Sequence, residues 1–163
     1  MVFTGTYEHT IDAKNRLAIP RELRSQIQRA VGASDGDGIV LYVVPGGNTA
    51  AEMPTLRLYT EQAFENRANQ LDESELDSKQ LLDYEEILFS LVRQVEIDKQ
   101  GRILLPKSLI QQVQLGTEVV LLGVKDHLAI RNRVDWQVHL KEKLMGNTGF
   151  LMNFRQAMQK TDS

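Results

Sequence analysis

The sequence predicts an α+β fold, in which two tandem copies of one β-rich unit form a pseudo-symmetric whole with an acidic helical pair between them. Three observations predict it. Thr10–Pro20 reads TIDAKNRLAIP and Glu96–Pro106 reads EIDKQGRILLP, a single template of Ile-Asp, three residues, Arg, an apolar triplet and Pro. The correspondence continues downstream, where Ile39-Val40-Leu41-Tyr42 matches Val119-Val120-Leu121-Leu122 and Leu56-Arg57-Leu58-Tyr59 matches Leu128-Ala129-Ile130-Arg131. Between the copies, Thr60–Glu86 sets nine acids against only Arg67 and Lys79, in a pattern of helical period. The expected organisation is a first unit over 5-62, a helical connector over 63-91, a second unit over 92-135, and a C-terminal helix and tail over 136-163.

Each half reads strand, tight turn, strand, short helix, strand, strand, helix. In the second copy, Asp98-Lys99-Gln100-Gly101 has Asp at the first turn position and Gly at the last, the composition of a type I turn closed by a left-handed residue. Asn15 holds the Gly position in the first copy, and Asn enters the left-handed region more readily than most side chains. Asp12 and Asp98 carry a carboxylate that accepts hydrogen bonds from turn amides. The triplets Leu17-Ala18-Ile19 and Ile103-Leu104-Leu105 read as buried strands, each closed by a Pro that opens a short helix, Arg21–Val31 and Lys107–Val113. Thr60–Leu71 and Ser74–Leu91 read as the connector helices. Ser74 with Asp77 resembles a capping box, and Leu81, Tyr84, Leu88 and Leu91 form an apolar stripe suited to covering the β core or a neighbouring subunit. Pro45–Thr55, rich in Gly, Pro and Ala, reads as a surface loop. Phe150, Leu151, Phe154, Ala157 and Met158 recur at helical spacing in the tail.

Composition narrows the function. The 163 residues carry a net charge of −3 and no cysteine, which excludes a disulfide framework and thiolate metal sites. Met1-Val-Phe-Thr-Gly lacks the basic and apolar regions of a signal peptide, and no apolar run reaches membrane-spanning length, so a cytoplasmic protein is expected. His9, His127 and His139 lack metal-ligand spacing, and no phosphate-binding loop, nucleophile elbow or dinucleotide fingerprint is present. Neither an enzyme nor a cofactor is expected.

The charge is uneven. His9–Arg29 carries Lys14, Arg16, Arg21, Arg24 and Arg29 against Asp12 and Glu22, whereas the second copy offers Lys99, Arg102 and Lys107. Two readings of Arg16 and Arg102 stand side by side. Each pairs with the Asp four residues earlier, or each presents its guanidinium from a rigid hairpin to a phosphate or a guanine edge. The cationic cluster favours an anion-binding face in the first copy. The candidate anion-binding residues are therefore Lys14, Arg16, Arg21, Arg24, Lys99 and Arg102, with Asp12, Asn15, Asp98 and Gly101 as turn organisers.

GTYEHTIDAKNRLAIP and VEIDKQGRILLP resemble the two repeats of the MraZ family, whose members carry two AbrB-like lobes, each marked by Asp-x-x-x-Arg. The resemblance runs from about Phe3 to about Leu144, and LGVKDHLAIRNRVDWQ is similar to the family's second-lobe ending. It implies a swapped-hairpin β fold, self-assembly into rings, and a nucleoid-associated transcriptional regulator. Its expected partner is double-stranded promoter DNA, bound at direct repeats upstream of the bacterial division and cell-wall operon. It also implies DNA contact by Arg16 and Arg102, with Asp12 and Asp98 organising their turns. Two departures are Asn15 in place of the usual Gly and a longer Pro45–Thr55 connection. AbrB-like folds also occur in antitoxins, so a protein-interaction module is the competing reading.

Overall fold

The computed structural model describes residues 2–34, 36–46 and 53–146. The interior of the Pro45–Thr55 loop and the tail beyond Gly146 lie outside those residues. Two compact units divide the chain after Asn132.

The first repeat supplies β1 (Thr6–Thr10), β2 (Arg16–Ala18), α1 (Arg21–Val31), β3 (Ile39–Gly46), β4 (Thr55–Thr60) and α2 (Glu61–Gln70). A 3-10 turn at Leu71–Glu73 and α3 (Ser78–Leu91) lead to the second repeat. That repeat supplies β5 (Arg93–Ile97), β6 (Arg102–Leu104), α4 (Lys107–Gln112), β7 (Glu118–Val124), β8 (His127–Asn132) and α5 (Arg133–Gly146). Both halves thus carry the same order of elements.

Six strands form one antiparallel sheet in the order β1-β7-β8-β4-β3-β5, and β2 pairs with β6 in a separate two-stranded ladder. Exchanging each strand for its repeat equivalent returns the same order read backwards. The first strand of each half enters the sheet beside the other half: β1 pairs with β7, with Tyr7 opposite Leu121, and β5 pairs with β3, with Val95 opposite Leu41. The ladder is likewise shared, with Leu17 opposite Ile103. Each apolar triplet is too short to bury itself, and pairing the two copies closes one core over both.

That core is built from repeat-matched residues: Leu17 with Ile103, Ile19 with Leu105, Leu23 with Leu109, and Ile27 with Val113, all at most 2% exposed. Strand alternation sends Leu41, Val43, Leu56 and Leu58 to the same cluster. Their neighbours Tyr42 and Tyr59 take the other face, where the Phe64 ring of α2 stacks on Tyr42 at 4.4 Å between centroids. The terminal segment lies close on Gly123, where a Cβ would stand 2.4 Å from the Thr4 backbone nitrogen. That approach lets the Gly123 N–H donate to the Gly5 carbonyl at 2.9 Å.

The caps follow local chemistry. Pro20 and Pro106 stand at the N-caps of α1 and α4, and Gly32, left-handed at φ 70°, ends α1. One expectation is corrected. The capping box of α3 is Asp77 with Gln80, not Ser74 with Asp77, and the helix starts at Ser78. Gln80 is long enough to return a hydrogen bond to the Asp77 N–H, which Asp at the same position would not reach as readily. No residue of α3 is fully buried, and Leu82, Tyr84 and Ile87 of this helix are exposed.

Candidate nucleic-acid interface

Both turns have the closed geometry expected of their composition. The Asn15 N–H donates to the Asp12 carbonyl at 3.0 Å and the Gly101 N–H to the Asp98 carbonyl at 2.9 Å. Asn15 and Gly101 are left-handed, at φ 62° and 78°. The chain then recloses as the Asp12 N–H meets the Arg16 carbonyl at 3.0 Å and the Asp98 N–H meets the Arg102 carbonyl at 2.8 Å.

Each Asp side chain ties its turn twice over. Asp12 Oδ1 accepts from the Lys14 and Arg16 amides, both at 2.9 Å, and Asp98 Oδ1 accepts from the Gln100 and Arg102 amides at 2.8 and 2.9 Å. The second carboxylate oxygen takes the arginine: Arg16 Nε donates at 2.9 Å and Arg102 Nε at 3.4 Å. The amides of Arg16 and Arg102 are the leading reason that both carboxyls stay below the usual carboxylate range. The ion pair and the presented guanidinium are therefore compatible, because the pair uses the Nε edge.

The copies differ at the tips. Arg102 Nη2 also donates to Gln100 Oε1. Lys14 stands at the equivalent position of the first turn, and no Nη bond of Arg16 is found among the described residues. Arg16 thus keeps both Nη groups for a bidentate partner, whereas Arg102 has one committed.

The ladder sets the direction of both arginines. Leu17 and Ile103 point into the core, so Arg16, Ala18, Arg102 and Leu104 share the outward face. Arg16 stands opposite Leu104, and Arg102 opposite Ala18. The two arginines are then diagonal neighbours, about 7–8 Å apart. Lys14 and Lys99 are exposed at the turns that flank this face. Arg21 is exposed in the first turn of α1.

Arg24 is placed differently from Arg21. Its guanidinium covers Gly101 of the other repeat, where a Cβ would meet Nη1 at 2.5 Å, and its Nε is enclosed without a hydrogen-bond partner among the described residues. The sequence places Gln100 in the turn without a role and reads Leu104 within a buried triplet; the second expectation is corrected, since strand alternation around the buried Ile103 and Leu105 turns Leu104 outward.

A second polar cluster lies away from the turns. Arg67 of α2 holds Asp126 with two hydrogen bonds at 2.8 and 3.0 Å, and Asp126 meets His127 Nδ1 at 2.8 Å. The Arg67 bonds are the largest cause holding the Asp126 carboxyl far below its ordinary value, whereas burial pushes the His127 imidazole down. Two open clefts of about 310 and 400 Å³ lie between α3 and the sheet, each bordered by Arg57, Tyr84 and Leu88. Among the described residues no group of three His, Cys, Asp or Glu is placed to hold a metal, and no helix is long and apolar enough to cross a membrane.

Comparison with known proteins places this geometry. The family model described as "MraZ protein, putative antitoxin-like" matches residues 2–34 and 88–148, which include both turns and the ladder. A protein of Mycoplasmoides gallisepticum named Transcriptional regulator MraZ is 36% identical over 87% of this chain and 86% of its own length. Proteins of the same name from Roseiflexus castenholzii and Bifidobacterium longum are 32% and 30% identical, over 83% and 87% of this chain and 85% of each relative. On both the family model and these identities, the chain belongs to the MraZ family of transcriptional regulators.

Proposed function

We propose that this protein is a sequence-specific DNA-binding regulator, acting as a repressor from direct repeats in the promoter of the division and cell-wall operon. The observation that carries the reading is the shared outward face of the β2–β6 ladder, which presents Arg16 and Arg102 between two cationic turns. Lys14, Arg16, Lys99 and Arg102 make the contacts, Arg21 extends the cationic edge, and Arg24 acts beside the second turn. Asp12, Asn15, Asp98 and Gly101 hold the turns in shape. The pairing of each first strand with the opposite repeat supports an AbrB-like swapped-hairpin arrangement, with 5-62 and 92-135 as its units of duplication.

An acidic chain with one small cationic face gains little from a single contact with DNA. Several subunits of a ring reading repeats in one sense turn weak contacts into avidity when repeat and subunit spacings match. The working location is then the cytoplasm, at the nucleoid. A mobility shift on the DNA upstream of its own gene, with light scattering for assembly mass, tests the reading. Salt-sensitive retention by a multimer is expected, and a folded protein that retains no duplex overturns it.

A second reading draws on the words antitoxin-like in the family description. It requires a small protein partner, and co-purification from the native host that survives Arg16→Ala would favour it over DNA binding.

A further inference from the structure

Leu104 stands apart on the outward face of the ladder. Its neighbours Ile103 and Leu105 are each 1% exposed, whereas Leu104 is 60% exposed. Alternation therefore aims it away from the core, onto the face that carries Arg16 and Arg102. It lies directly opposite Arg16, and side chains so paired have Cβ atoms about 5 Å apart. Ala18 holds the equivalent position opposite Arg102 and has no side chain beyond Cβ.

We infer that Leu104 is a specificity-determining residue that makes an apolar contact with the C5-methyl of a thymine neighbouring the base pair engaged by Arg16. The inference deepens the DNA-binding reading and rests on it. In the major groove an arginine suits guanine O6 and N7, and the thymine methyl is the apolar feature that marks an A·T pair. Successive bases lie about 3.4 Å apart along one strand, so an Arg and a Leu paired across the ladder have the reach to touch adjacent steps. The short Ala18 gives Arg102 no such companion. The two ends of the face thus read different base steps, and the site they favour is not a palindrome. An asymmetric site is the unit that direct repetition requires.

The test uses the full chain and a duplex that it selects from a randomised pool. The base pair read by Arg16 is the one at which Arg16→Ala loses discrimination. Each thymine of the selected duplex is then replaced singly by deoxyuridine, which removes only the methyl, and affinity is measured by anisotropy. Wild type is expected to lose about 4-fold at one thymine beside that pair, the worth of one methyl-sized contact. Leu104→Ala should bind the unmodified duplex about as weakly and ignore the substitution at that thymine. Unchanged deoxyuridine sensitivity in Leu104→Ala, or no thymine beside the Arg16 pair, overturns the inference and leaves DNA binding standing. A change of assembly mass in Leu104→Ala with an unaltered deoxyuridine profile overturns it in favour of a subunit contact. Failure of wild type to enrich any duplex removes the DNA-binding reading itself, and this inference with it.

Discussion

Arg24 of the first repeat lies over Gly101 of the second, so close that a Cβ on Gly101 would stand 2.5 Å from Arg24 Nη1. The residue equivalent to Arg24 in the second repeat is Ile110, which packs against the core. The two turns are also joined through their backbones: the Ile19 N–H donates to the Gly101 carbonyl and the Leu105 N–H to the Asn15 carbonyl, both at 2.8 Å. The repeats are therefore symmetric in backbone and unequal in what covers the turn.

Gly101→Ala places a side chain at φ 78° beneath Arg24 and is expected to cost about 1–2 kcal/mol of stability. Asn15→Gly should fall within about 0.5 kcal/mol, since position 15 already holds the left-handed conformation that Gly adopts freely, at φ 62°. Thermal unfolding compares them, and equal losses would contradict the asymmetry of cover.

Arg24→Ala removes the cover from Gly101 and should lower stability by about 1 kcal/mol as well as weaken DNA binding. Arg21→Ala, on an exposed position of the same helix, should weaken DNA binding without shifting the melting temperature. Paired melting and anisotropy measurements separate the two roles.

Arg16→Ala should keep assembly and lose about 5- to 150-fold in affinity for the selected duplex, the range of one bidentate base contact. Arg102→Ala should lose less, because Gln100 already takes one of its Nη groups. Both variants should show a shallower dependence of affinity on salt if the guanidinium also engages phosphate. An Arg102 loss larger than the Arg16 loss would reverse the assignment of the stronger reader.

The depressed Asp12 and Asp98 carboxyls set the acid response of the turns. A lowered folded pKa stabilises the turn above the ordinary carboxylate value, and that order is lost as pH falls through the lowered one. The Lys14, Arg16, Gln100 and Arg102 amide resonances should titrate with midpoints below about 3.9, the free aspartate value. Asp12→Ala should impair DNA binding as severely as Arg16→Ala, since the amides that shape the tip lose their acceptor.

His127 titrates in a different window. Burial lowers its folded pKa, so the unfolded chain binds the proton first and stability falls as pH drops below about 6.5. Asp126, bonded to it, loses its own contribution only at far lower pH, as its carboxyl is held down mainly by Arg67. Denaturation at pH 7 and pH 5 should show a smaller difference for His127→Gln than for wild type. An unchanged difference would place the sensitivity elsewhere.

The turns were legible in the sequence because their chemistry is local. Asp at the first position, a left-handed Asn or Gly at the last and Arg immediately after determine each hydrogen bond within five residues. The duplicated order of elements and the start of α1 after Pro20 were legible for the same reason. The capping box is not legible in the same way, because Ser74–Asp77 and Asp77–Gln80 overlap and only side-chain reach separates them.

What the sequence by itself determined is that the phrase occurs twice and that each copy closes an Asp-organised turn followed by an arginine. Tertiary structure decided which strands pair. Leu17 meets Ile103 because the inward residues of each short triplet are buried only against their counterparts many residues away, and β1 meets β7 in the same sheet closure. That choice, made by core complementarity, places Arg16 and Arg102 on one face, sets Leu104 beside Arg16, and lays Arg24 on a turn of the opposite repeat. None of these neighbours is encoded by local propensity, since each is a consequence of closing one core over two copies.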